Sequence, residues 1–253
     1  MKIEAFLRYQ LIFLLIFTMR SAQASFVEFN ICQDEKTYPP FHYSESETKA
    51  TGKFGLVKRR LNTAAKGLNL KINYIKLPWK RCLKMFQTSR VDALLAAIWS
   101  KDRQGWGVFP KNKKGEIDQS KKILSVRYSI FTHRDSKVKW DGKRVYNLTD
   151  GLFSPKGYVV TRILKDLGIL HRYFSEPTSI VNVVARKRLD GFVSTERVAD
   201  LIIKEKNLVG EIKKLDIPIL IDDWHIPVSH LFYRKNPDLV QSFWNRLEKS
   251  RDK

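Results

Sequence analysis

The sequence predicts an α/β fold made of two similar lobes, and three observations carry that prediction. The stretch Pro78–Arg103 reads as a proline-started helix running into a continuous apolar strand, Val91–Ile98. Pro78 suits the first helical position, where its missing N–H costs nothing, and Leu83 and Phe86 then share one helical face. The strand is apolar on both sides apart from Asp92, as expected of a parallel strand covered by helices. The unit then recurs: Arg90-Val-Asp-Ala-Leu-Leu and Arg188-Leu-Asp-Gly-Phe-Val match position by position, with Asp92 and Asp190 98 residues apart. A period that long fits a repeated lobe rather than a short-repeat solenoid. Finally, Ile123–His133 and Asp222–Tyr233 read as two strands that carry the chain from one lobe to the other and back.

Taken in order, the chain opens on a segment outside the fold. Lys2 and Arg8, the apolar run Leu11–Thr18 and the small-residue signal Ala22-Gln23-Ala24 form a secretory signal peptide over residues 1–24. That run is far shorter than the roughly 20 residues a membrane span needs, so an exported, soluble chain is expected. Phe26–Cys32 alternates like a first strand, and Gln33–Tyr43 is a proline-stiffened loop carrying Tyr38, Phe41 and Tyr43. Leu56–Lys66 reads as a helix ended by Gly67, and Leu70–Ile75 as a second strand leading to Pro78. Right-handed crossovers build such a β-α-β-α-β order into a parallel sheet.

After Arg103 the polar insertion Lys111–Lys122 reads as a surface loop, and Asp135–Lys143 as a joint between lobes. The second lobe opens on a strand, Arg144–Leu148, a turn at Asp150-Gly151 and a loop, Phe153–Gly157. Helices follow over Tyr158–Leu167, Ser179–Lys187 and Glu196–Lys206, with a strand near Ile212–Ile221. Asn236-Pro237 starts a closing helix, Asp238–Lys249, expected to pack back on the first lobe. Lobe one then comprises 25–132 and 225–253, and lobe two 133–224, with the binding site in the cleft between them.

With 43% hydrophobic and 29% charged residues among 253, the composition is that of a globular chain and does not indicate disorder. The formal net charge of +21 falls to +19 once residues 1–24 leave, because Lys2, Arg8 and Arg20 go with Glu4. The basic residues are scattered in short clusters, such as Lys58-Arg59-Arg60 and Arg186-Lys187-Arg188. No long basic run or nucleic-acid module appears, which argues against a nucleic-acid partner. Two cysteines, Cys32 and Cys82, remain; an even count in an oxidising compartment permits a disulfide, and the plainer reading is two buried free thiols.

The signal peptide, Asp34…Tyr38-Pro-Pro-Phe41, Pro78-Trp79-Lys-Arg81, Val91-Asp92-Ala93, Ser100-Lys-Asp-Arg103, Leu189-Asp190-Gly191 and the closing helix resemble, in order and spacing, one known group. It is the bacterial extracellular solute-binding proteins of family 3, the type 2 periplasmic binding proteins typified by polar amino acid receptors of ABC importers. The resemblance covers nearly all of the chain after residue 24. It implies two Rossmann-like α/β lobes joined by a two-strand hinge. It also implies a periplasmic monomer without cofactor that closes on a small, carboxylate-bearing, amino acid-like solute and presents it to an ABC-type permease or a sensor.

By position, the resemblance implies that Arg103 grips a ligand carboxylate with its planar fork. Tyr38 and Phe41, with Trp79, match an aromatic wall, and Asp34 stands with them on the ligand side. Ala97, Ile98 and Trp99 match the segment that contacts ligand beside the arginine. Lys156, Gly157 and Tyr158 match a glycine loop at a helix start, where free N–H groups favour an anion. One departure matters: where amino acid receptors place an aspartate for the ligand's ammonium, this chain has Thr195, with Glu196 next. Either Glu196 substitutes or the ligand is not a standard α-amino acid. Asp92 and Asp190 are read as structural turn or cap residues.

Two other classes compete. An enzyme on the same fold would resemble the periplasmic dehydratases of cyclic acids; it needs a general acid or base in the cleft, for which Glu196, His133 and His225 are the candidates. No Gly-x-Ser-x-Gly, His-Glu-x-x-His or P-loop is present. Asp222, Asp223 and His225 are better read as polar hinge residues than as metal ligands. The third class is a basic envelope-interaction protein without a small ligand.

Overall fold

A computed structural model describes residues 26–43, 45–52, 55–174 and 177–250; the expected signal peptide lies outside them. The elements, in chain order, begin with β1 (Val27–Asp34), α1 (Glu45–Thr51), α2 (Leu56–Ala65), β2 (Leu70–Leu77) and α3 (Trp79–Gln87). Next come β3 (Ala93–Leu94), β4 (Ala97–Ile98), α4 (Lys101–Gln104), β5 (Gly107–Val108), β6 (Leu124–His133), β7 (Lys139–Trp140) and β8 (Val145–Tyr146). β9 (Leu152–Pro155), α5 (Val159–Asp166), β10 (Leu170–Phe174), α6 (Pro177–Ala185), β11 (Gly191–Thr195) and α7 (Glu196–Glu205) follow. The chain ends with β12 (Ile212–Lys214), β13 (Leu220–His225), β14 (Val228–Ser229), α8 (His230–Lys235) and α9 (Pro237–Lys249). Among the described residues no helix is long and apolar enough to cross a membrane.

Two sheets define two lobes. The first has the order β2-β1-β3-β14-β5 and the second β10-β9-β11-β6-β13-β4, with β12 also on β6. In the first, β1 pairs in parallel with β2 from Val27↔Leu70 to Asp34↔Leu77, which brings Asp34 to the strand's carboxyl end beside the start of α3. In the second, β9, β10 and β11 are parallel, and the long β6 runs antiparallel to β11, β12 and β13. Strands β6 and β13 are the two crossings, paired with each other from Leu124↔Trp224 to Tyr128↔Leu220.

Amphipathic spacing explains the helical layer. Helix α2 buries Val57, Leu61, Ala64 and Ala65, and α9 buries Val240, Phe243, Trp244 and Leu247; both sets repeat every three to four residues and so share one face. The two helices pack on each other in the first lobe, each large apolar side chain contributing about 1.5–3 kcal/mol. Trp244 also donates its indole N–H to the Ile226 carbonyl at 2.9 Å. The repeat has a structural role in both copies. Asp92 accepts the Asn30 N–H at 2.8 Å, and Asp190 accepts three successive N–H groups, of Thr149, Asp150 and Gly151, at 2.6–2.9 Å. The small residue after each aspartate is equally local in cause: a Cβ on Gly191 would come within 2.5 Å of the Phe131 carbonyl oxygen.

The structure corrects several expectations. Val91–Ile98 is not one strand: it breaks at Leu95-Ala96, with Ala96 in the left-handed region at φ 58°. The cause is topological, since β3 pairs with β1 and β14 in the first sheet whereas β4 pairs with β13 in the second. Phe153–Gly157 is not a loop; β9 occupies most of it and lies inside its sheet between β10 and β11, its buried Ser154 satisfied by the Thr161 hydroxyl at 3.0 Å. The strand Arg144–Leu148 shrinks to a short hairpin of β7 and β8. Ile212–Ile221 divides into β12 and β13. The second crossing ends at His225, and α8 follows β14, its first turn capped by Ser229 Oγ, which accepts the Phe232 N–H at 3.2 Å. Cys32 and Cys82 are not free thiols but a disulfide, with Cα atoms 5.5 Å apart, tying β1 to α3.

Candidate functional site

The cleft between the lobes encloses a cavity of about 40 Å³, room for about three water molecules at roughly 10–15 Å³ each. Its walls come from strand ends and helix starts of both lobes, where backbone groups are left to point at a ligand. Asp34 ends β1; Tyr38 and His42 lie on the loop after it; Trp79 starts α3; Ile98 ends β4; Arg103 sits on α4. The opposite wall is Tyr128 of β6, Tyr158 and Val159 at the start of α5, and Trp224 of β13.

Arg103 is the chemical centre. It is 5% exposed, donating Nη1–H to the Ile98 carbonyl at 2.9 Å and Nη2–H to the Gly157 carbonyl at 3.3 Å. Ile98 ends β4 and Gly157 follows β9, two strands of the second sheet. The guanidinium also lies 5.9 Å from the Trp79 ring centroid, within cation–π reach. Among the described residues it forms no ion pair, and burial pushes its pKa down. A buried cation held only by neutral carbonyls favours an anion.

The other polar groups frame it. Asp34 accepts the Tyr158 hydroxyl at 3.3 Å, and burial pushes its carboxyl above the ordinary carboxylate value. Burial likewise raises the Tyr38 phenol, and drives Tyr128 and Tyr158 well above their usual value, so all three stay neutral donors. Burial, together with the Lys58 and Lys76 charges, lowers His42 to about 4. Polar contacts that join the lobes around the cavity include Arg103 to Gly157, Tyr158 to Asp34, Thr195 Oγ1 to the Tyr38 hydroxyl at 3.3 Å, and Arg162 to Asp102 at 2.7 Å.

Of the sequence-predicted residues, Asp34, Tyr38, Trp79, Ile98, Arg103 and Tyr158 therefore line one cavity. Lys156 stands in an adjoining outer chamber, and Gly157 enters through its carbonyl rather than through a free N–H. Phe41 is core, 4.8 Å centroid to centroid from Trp224. Ala97 is buried behind the cavity, and Trp99 faces a separate rear crevice with Asp222, Asp223 and His225. Thr195 reaches the site only by positioning Tyr38. Glu196 is occupied elsewhere: it accepts Ser129 Oγ–H at 2.7 Å and pairs with Arg127 and Lys214. Burial raises its carboxyl, but those three partners outweigh it and hold it below the ordinary value. His42, Tyr128 and Trp224 are wall residues that sequence reasoning missed; the two hinge-strand aromatics were readable only as core.

With this geometry in hand, comparison with solved structures is direct. The chain is similar to a histidine kinase sensor domain related to periplasmic binding proteins (TM-score 0.70, 16% identity, covering 91% of this chain and 92% of that one). It is also similar to the substrate-binding protein of an amino acid ABC transporter (0.66, 16%, 89% and 94%). A third likeness is to an ancestral amino acid-binding protein described as a precursor of cyclohexadienyl dehydratase (0.65, 15%, 89% and 90%). The fold is thus the two-lobed one of type 2 periplasmic binding proteins. The sequence matches no protein-family model and no curated protein.

Proposed function

We propose that this chain is a solute-binding protein whose lobes close by hinge bending on a small carboxylate-bearing solute, with Arg103 as the carboxylate clamp. The observation that carries the reading is a guanidinium 5% exposed, in an interlobe cavity, without an ion-pair partner among the described residues. Lobe one would comprise 25–132 and 225–253, lobe two 133–224, with β6 and β13 as hinge. Asp34, on the same wall, offers a partner for an ammonium and so allows an amino acid-like ligand. A monomer in the periplasm, read by a permease or a sensor, completes the proposal. The similar structures support it, since they include both a transporter's binding protein and a sensor domain.

The acid–base candidates of the enzymatic alternative stand away from the cavity wall: Glu196 in its ion pairs, His133 beside Glu211, and His225 in the rear crevice. The test is a thermal-shift screen of amino acids and small carboxylates, followed by titration calorimetry of the hits on Arg103→Ala. Losing Arg103, the cation that lines the inner cavity among the described residues, is expected to cost about 3 kcal/mol, more than a hundredfold in Kd. An affinity left within twofold would remove Arg103 from the site.

A further inference from the structure

The cleft has two compartments of very different size and charge. The inner cavity at Arg103 holds about 40 Å³, whereas an outer chamber of about 400 Å³ shares Asp34, Tyr38, Trp79 and Tyr158 with it. The inner space suits a carboxyl end and little more; the outer one falls in the size range of small-molecule sites. Its side walls are flat and apolar, formed by Pro78, Trp79, Pro155, Tyr173 and Phe174. Lys36, Lys80 and Lys156 also line it, as does the carboxylate of Asp34. Lys80 and Lys156 meet no carboxylate among the described residues. Lys156 instead rests 5.9 Å from the Tyr173 ring centroid, as does Lys165 from outside the chamber.

Resting on the carboxylate reading above, we infer that the solute is a dianion: one carboxylate at Arg103, a flat apolar middle against Trp79, Tyr158 and Tyr173, and a second anionic group at Lys80 and Lys156. Charge complementarity supports it. A neutral zwitterion would balance Arg103 and Asp34 but make no use of Lys80 and Lys156, whose side chains are exposed and line the chamber. A second anionic group would pair with both, at the modest strength of solvent-exposed contacts.

Calorimetric titration with phenylacetate and with para-carboxyphenylacetate tests this, since the probes share a ring and one carboxylate and differ by one charge. The dianion is expected to bind about tenfold tighter than the monoanion, the scale of one charge-assisted contact, and the gap should narrow with added salt. In the double variant K80Q/K156Q the two probes should fall within about twofold of each other, phenylacetate losing less affinity than the dianion. Equal affinities for the wild-type chain, or a preference surviving in the double variant, would overturn the dianion while leaving the clamp intact. Binding of both probes untouched by Arg103→Gln would instead overturn the carboxylate reading. No binding of either probe at millimolar concentration overturns the dianion inference as well.

Discussion

His42 illustrates how a single side chain couples this cavity to acidity. The ring is 8% exposed, and burial with the Lys58 and Lys76 charges lowers it from 6.5 to about 4. Between those values the unfolded chain binds a proton there and the folded chain does not. Stability present above pH 6.5 is therefore lost as the pH falls towards 4, by about 1.4 kcal/mol per unit and roughly 3 kcal/mol in all. His225, lowered chiefly by burial, acts in the same sense; Asp34 and Asp222, raised chiefly by burial, act in the opposite one. The difference between wild type and His42→Gln isolates the ring. Urea unfolding near neutrality and near pH 4.5 is expected to show a steeper acid loss in wild type by about 2–3 kcal/mol. Parallel losses in both would place the titration elsewhere.

At the scale of elements, the Cys32–Cys82 link joins β1 to the start of the second α/β unit across a separation of 50 residues. Closing a loop of that size restricts the unfolded chain by roughly 4 kcal/mol in the chain-entropy account. The double substitution Cys32→Ala/Cys82→Ala is accordingly expected to lower unfolding stability by about 3–4 kcal/mol while leaving the far-ultraviolet spectrum native, and a reductant should have no further effect on that variant. The elements were legible to different degrees for physical reasons. Strand β6, the closing helix and the repeat around Asp92 and Asp190 carry long periodic patterns that only one packing satisfies. Strand β9 was illegible because a buried strand ending in Ser154-Pro155 looks like a turn, its hydroxyl being matched by Thr161 three-dimensionally rather than in sequence. The disulfide was undecided for the same reason: two cysteines announce nothing about distance. In the site, Arg103, Tyr38 and Trp79 stood out by their order along the chain, whereas Tyr128 and Trp224 on β6 and β13 looked like any core aromatics.

For the whole molecule, the closure proposed above would rest on the contacts between the lobes, some of them exposed. The Arg162–Asp102 bridge is half exposed on both sides, with side chains 51% and 48% accessible, so it is worth no more than about 1 kcal/mol. That is small against unfolding yet comparable with an open–closed balance, where 1 kcal/mol shifts populations about fivefold. Arg162→Ala is expected to raise the radius of gyration in X-ray scattering, with the melting temperature moved by only a few degrees. Raising salt should reproduce the change in wild type and add little in the variant. A variant as compact as wild type at every salt concentration would assign closure to the buried contacts alone.

The Gly157 carbonyl already occupies the Nη2–H of Arg103, and that has a bearing on selectivity. The Ile98 and Gly157 carbonyls take two of the five guanidinium N–H groups, so an incoming oxygen shares the cation with peptide oxygens. An ester or amide offers a donor nothing that a peptide oxygen lacks, whereas an ionised acid competes from a clear advantage in basicity. Neutral analogues are thus sorted out at the doorstep by proton affinity, before contour or length is consulted.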